Sequence, residues 1–173
     1  MRLTEIVTHT PWWVWVLFVY LVYCGVRHLS PREFSYRQIL LMPGIFLLWA
    51  VYGIFNKFYM PWTALLIFIA ASLAGLLLGA VIAMKWRSVS LSKAKGMIQC
   101  PGSVIPLVFI LINFSCLYVL NVYAAYHQDS FVSLSFTAVY SAASGVANGL
   151  FWGMSLATLG QALAIFAIQP ADG

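Results

Sequence analysis

Residues 141–157 read SAASGVANGLFWGMSLA, and every fourth position in this stretch is small: Ser141, Gly145, Gly149, Gly153 and Ala157. Residues four apart stack on one face of an α-helix, so the stretch predicts a helix with a smooth groove about four turns long. In a bilayer such a groove lets a second helix approach closely, and close packing drives association where lipid removes the hydrophobic drive. A second row stands upstream at Ala71, Gly75, Gly79 and Ala83. The two rows can face each other within one chain or face copies in a neighbouring one, and the pattern allows both.

Outward from this stretch, the composition is that of a membrane protein. The 173 residues suit one domain. They are 63% hydrophobic and only 8% charged, where soluble proteins carry about a quarter charged residues, and mean hydropathy is +0.93. Apolar runs long enough to cross a hydrocarbon core of about 30 Å alternate with short charged gaps. Barrel strands alternate over only about 10 residues, so the runs predict helices. Of nine basic residues, Arg27, Arg32 and Arg37 share one connection, and Lys85, Arg87, Lys93 and Lys95 share another. This is the positive-inside signal, and it excludes a nucleic-acid-binding face as the reason for the net charge of +5. It places the first and third connections in the cytoplasm and the N-terminus outside. Cys24, Cys100 and Cys116 form no close pair, which argues against structural disulfides. The first apolar run is bulky and aromatic and lacks a small-residue cleavage site, unlike a cleavable signal.

Taken in order, the runs predict an all-α integral membrane protein of about five transmembrane helices in a single domain, 1–173. The expected spans are about 11–26, 35–55, 61–84, 104–126 and 142–168. Thr10 and Pro11 read as a helix start, with Trp12, Trp13 and Trp15 at the outer lipid boundary. Ser30 with Glu33 and Ser35 with Gln38 are competing capping boxes, and Phe34 and Ile39 favour the second. Pro43 lies inside the second helix and is expected to kink it. Ser88, Ser90 and Ser92 alternate with Val89 and Leu91, and Met97 and Ile98 follow a turn signal. This predicts a short β-hairpin in the cytoplasmic connection between helices three and four. Ser103 is expected to cap the fourth helix. Over 131–168 one straight helix is too long for the core. The expectation is a short outer helix over 131–141 and then one span, the alternative being two short spans meeting near Asn148.

Several stretches carry a family resemblance. They are THTPWWVW with residues 9–15 at its core, RHLSPREFSYR leading to LLMP, PGSVIPLVFIL at 101–111 and ASGVANGLFWG at 143–153. In these the chain resembles an uncharacterised family of small multi-span bacterial inner-membrane proteins of similar length. The resemblance implies a helical fold and a multi-pass place in the bacterial inner membrane. It implies no activity.

Chemistry-bearing residues are few. Glu5 and His9 stand one helical turn apart, and His127 and Asp129 lie on the same outer side by the expected topology. Their spacing matches no metal motif, and polar interface residues account for them. Inside the runs the strongly polar residues are Asn113, Ser115, Asn121, Asn148, Thr158 and Gln161. Asn113 and Asn148 are the candidates for lining a path or meeting a headgroup; the competing role is hydrogen bonding across a helix interface, worth about 1 kcal/mol. The basic clusters can recognise anionic lipid or simply orient the chain. No nucleophile elbow, carboxylate pair or phosphate loop is present, so no catalytic residue, cofactor or metal is expected. The function expected is therefore non-enzymatic: association through helix packing, as a homo-oligomer or as the accessory subunit of a membrane complex. The alternative is a small permease or channel formed by an oligomer, with Asn113 and Asn148 facing a wet cavity.

Overall fold

Long apolar stretches without a break become helices, and the charged gaps become the links between them. The computed structural model describes residues 12–27, 32–86, 90–91, 97–100 and 104–168. Helix α1 covers Trp12–Arg27, α2 Tyr36–Lys57, α3 Pro61–Trp86, α4 Ile105–Tyr126 and α5 Leu134–Ile168. A 3-10 turn at Gln128–Val132 and strands β1 (Arg32–Ser35), β2 (Ser90–Leu91) and β3 (Met97–Cys100) complete the described elements. Three stretches, Ile39–Lys57, Pro61–Lys85 and Leu107–Tyr126, are long and apolar enough to cross a membrane. The apolar part of α1, Val14–Tyr23, is shorter. Helix α5 carries Gly, Ser, Asn and Gln among its apolar residues and has no charged residue.

Helix α5 is the centre of the arrangement. It packs along α3 and also touches α2 and α4, while α1 lies against α4. Helix α3 is two-sided. Ala64, Phe68, Gly75, Gly79 and Ala83 are buried, whereas Leu66, Leu73, Leu77, Val81 and Met84 on the other side are exposed. Exposed apolar faces of this extent suit contact with lipid chains. At the end where α2 meets α3 and α4 meets α5, an aromatic cluster closes the bundle. Phe58 meets Phe131 and Tyr140 edge-on at 5.5 and 5.4 Å, and Ile54, Ala64, Phe68 and Ala124 pack around them. The Tyr59 amide donates to the Phe131 carbonyl at 3.4 Å, tying the two links together.

The strands sit at the opposite end, in the order β1-β3-β2 with both pairings antiparallel. Arg32 faces Cys100 and Ser35 faces Met97, while Ser90 and Leu91 face Gln99 and Ile98. The two basic connections are thus joined through their backbones. Residues 92–96, where the expected hairpin turns, lie outside the described residues.

Several expectations need correction. Residues 131–141 do not form a separate helix, nor do two short spans meet near Asn148: α5 runs unbroken for 35 residues, about 52 Å. No proline interrupts it, and its glycines are held by packing on α3 where isolated glycines would weaken a helix. Bonds from the Ser133 amide to the Asp129 and Ser130 carbonyls, and from Thr137 to Ser133, lead the 3-10 turn into it. The box of Ser30 and Glu33 starts no helix, because Glu33 lies in β1; α2 begins at Tyr36, directly after Ser35. Pro43 lies inside helix α2, as expected. Ser103 lies outside the described residues, and α4 begins at Ile105 with Val104 at its N-cap position and no side-chain cap bond. The spans expected to open at 11 and 104 begin at Trp12 and Ile105, and α2 and α3 run on to Lys57 and Trp86.

Candidate functional site

The small-residue rows meet each other inside the chain, between α3 and α5. A Cβ on Gly145 would stand 2.5 Å from the Phe68 carbonyl oxygen and 2.9 Å from the Ala71 Cβ. On Gly149 it would meet the Ser72 oxygen and, at 2.8 Å, the Leu76 nitrogen; on Gly153 it would meet the Leu76 oxygen. In the reverse direction, Gly75 faces the Val146 carbonyl and Gly79 the Leu150 carbonyl. Positions advance together on both helices, so α3 and α5 are parallel. In glycine a hydrogen occupies the Cβ site, so each of these Cα–H groups points at a carbonyl oxygen, a contact worth about 0.5–1 kcal/mol. Ser141 is fully buried in line with the row, and Ala157 is half-buried beyond it.

The adjoining face of α5 opens onto a cavity of about 990 Å³, walled by α2, α4 and α5 with Val14 and Leu21 of α1 at its side. Its walls are mostly apolar. Phe46 and Phe151 stack at 6.0 Å across one end. Polar groups gather at two depths. At the aromatic end, Lys57 Nζ donates to Asn121 Oδ1 at 3.1 Å and to the Tyr140 hydroxyl at 3.2 Å. The Asn121 amide in turn donates to the Leu117 carbonyl at 2.6 Å and to the Tyr140 hydroxyl at 3.3 Å. Two helical turns deeper, about 12 Å along each antiparallel helix, lie Asn113 on α4 and Asn148 on α5. The Asn121–Tyr140 contact fixes the register, so the two deeper asparagines stand at one level. Asn148 is 7% exposed, and its Oδ1 is buried without a hydrogen-bond partner. An orphaned buried acceptor carries a penalty of about 1–3 kcal/mol.

The structure therefore brings Asn113 and Asn148 together with Lys57, Asn121 and Tyr140, and keeps the packing row apart on the neighbouring face. Lys57 and Tyr140 were missed as site residues. The signal was present: Asn113, Leu117 and Asn121 on α4, and Tyr140, Ser144 and Asn148 on α5, are spaced four apart and all line the cavity. The other polar candidates sit elsewhere. Ser115 is exposed, the Thr158 hydroxyl donates to the Met154 carbonyl at 2.7 Å, and Gln161 Oε1 is buried without a partner. His127 is exposed and stacks on Tyr123 at 4.4 Å. Glu5 and His9 lie outside the described residues, among which no three His, Cys, Asp or Glu side chains gather as a metal site would require.

A helical protein with three membrane-length apolar stretches around a long, glycine-ridged helix, and with a mixed apolar and polar cavity beside that helix, belongs to the class of small helical membrane proteins. The sequence identifies it further: residues 1–167 match the family of unknown function DUF6622, and the chain belongs to that family. No curated protein and no solved structure matches it.

Proposed function

We propose that the protein is a non-enzymatic, multi-pass protein of the bacterial inner membrane that holds a small, largely apolar molecule in the cavity beside α5. The observation that carries this reading is a cavity of about 990 Å³ whose walls are mostly apolar, with Lys57, Asn121 and Tyr140 gathered at one end and Asn113 and Asn148 deeper. Ligand sites have this make-up: apolar walls with a few polar groups that set orientation, and volumes of roughly 300–1,000 Å³. In this proposal five helices span the bilayer with the N-terminus outside, and the antiparallel strands form a cap on the cytoplasmic side. The basic connections are what supports that orientation.

Association, as a homo-oligomer or as the subunit of a membrane complex, remains a proposal, though not on the ground of the small-residue rows. Because the small-residue rows face each other within the chain, they no longer speak for a homo-oligomer or a partner subunit. A second reading, a small permease or channel, is favoured by the shared depth of Asn113 and Asn148 in one cavity.

Native mass spectrometry of the protein, released gently from its own membrane, tests the binding reading. Gly53 lines the cavity and has open space at its Cβ, so Gly53→Trp fills the cavity with no clash against backbone. The wild type is expected to carry a reproducible small-molecule mass that the variant lacks. A bare wild-type protein, or the same mass on both, contradicts the reading. Passage of a solute instead predicts flux into liposomes that Gly53→Trp abolishes.

A further inference from the structure

The two depths of polar groups define the chemistry of the occupant more closely, if the cavity is a binding site as proposed above. Among the described residues Lys57 is the only basic one in the cavity wall. Its ammonium has three N–H donors. Two are directed at neutral acceptors, Asn121 Oδ1 and the Tyr140 hydroxyl, and among the described residues no carboxylate pairs with it. The side chain is exposed at the cavity mouth, so a third N–H and a full positive charge face whatever enters there. Tyr52, Trp62 and Tyr126 stand exposed around the same end, as aromatic rings do at the level of lipid headgroups. Below Lys57 the α2 side of the wall is apolar down to Phe46, three helical turns along, or about 16 Å. That is about half of a 30 Å hydrocarbon core, the depth of one leaflet.

We infer that the cavity takes a single-chain amphiphile with an oxyanion head. The carboxylate or phosphate oxygens accept from Lys57 Nζ at the mouth, and the hydrocarbon chain lies along Trp49, Ile54, Leu117 and Phe151. The depth and charge select for it together: a cation meets Lys57 unfavourably, and a short polar solute leaves the apolar wall unfilled. A two-chain lipid needs a wider groove than one cavity of this volume gives.

The test uses full-length protein in neutral nanodiscs at pH 8, with binding read as tryptophan quenching by brominated 16-carbon probes. The probes are a fatty acid, an alkyl phosphate, a primary alcohol and a quaternary ammonium of equal chain length. The two anions are expected to bind about tenfold or more tightly than the alcohol, and the ammonium to bind weakest. Lys57→Gln keeps a hydrogen-bonding side chain; it should bring the anions to the level of the alcohol, while Lys57→Arg retains the preference. Fatty acid above phosphate, or the reverse, distinguishes a free acid from a lysophospholipid source. Alcohol binding equal to anion binding, or a preference that survives in Lys57→Gln, overturns the inference while leaving a binding cavity. Quenching that Gly53→Phe, which narrows the cavity without adding a tryptophan, does not change overturns the cavity reading itself.

Discussion

At the residue scale, Asn148 shows how a buried polar group separates stability from function. Its amide oxygen lies in the cavity wall without a partner, and an unmet acceptor destabilises the empty protein. Asn148→Leu keeps the branching and heavy-atom count of the side chain and removes that acceptor. Thermal unfolding in detergent should show the variant to be as stable as wild type, or more stable by about 1 kcal/mol. The same variant should retain less of the small molecule carried from the membrane. A marked loss of stability would mean that the asparagine is structural and that the cavity is incidental. Trade-offs of this kind are common where a site needs a group that folding does not.

At the scale of elements, the α3–α5 seam rests on where a methyl group fits. A Cβ on Gly149 or Gly153 meets α3 backbone, which cannot move aside as a flexible side chain can. Gly149→Ala should therefore cost about 1–3 kcal/mol, read from guanidinium or thermal unfolding in detergent. Gly53→Ala and Gly160→Ala have nothing within 4 Å of the new carbon, and they should be neutral or gain up to about 1 kcal/mol from helix propensity. Equal effects at all three positions would contradict the seam. The rows themselves were legible from sequence, because a period of four among small residues survives any detail of packing. Their mutual pairing was not, since the same period serves an internal seam and an external one. The unbroken α5 was hidden by a length rule for isolated spans; a helix sheltered by α3, α2 and α4 is not bound by it. Strand β1 was also hidden, because a four-residue stretch such as REFS has no periodicity, and only its pairing with Met97–Cys100 makes it a strand.

At the scale of the molecule, the candidate site assembles from residues that no local pattern links. Asn113 and Asn148 were legible as polar residues in apolar runs, but no neighbouring residue marks Lys57 as part of a site. Its role emerges when α2, α4 and α5 bring it to Asn121 and Tyr140. Because the seam is internal, Gly149→Leu should reduce the yield of folded protein without changing the subunit number of what does fold, as measured by native mass spectrometry. A clean conversion from oligomer to stable monomer would instead return the rows to an intersubunit role. The proposed orientation predicts that a reporter fused at the N-terminus is active only outside the cell, and one fused within 92–96 only in the cytoplasm.

The most direct measurement is a crystal structure grown from a lipid phase supplemented with extract of the protein's own membrane. The account predicts a single elongated density inside the cavity, its head against Lys57 Nζ and its body reaching the level of Asn113 and Asn148. A cavity collapsed by movement of α2 onto α5, or one that contains water alone from Lys57 to Asn148, would contradict it.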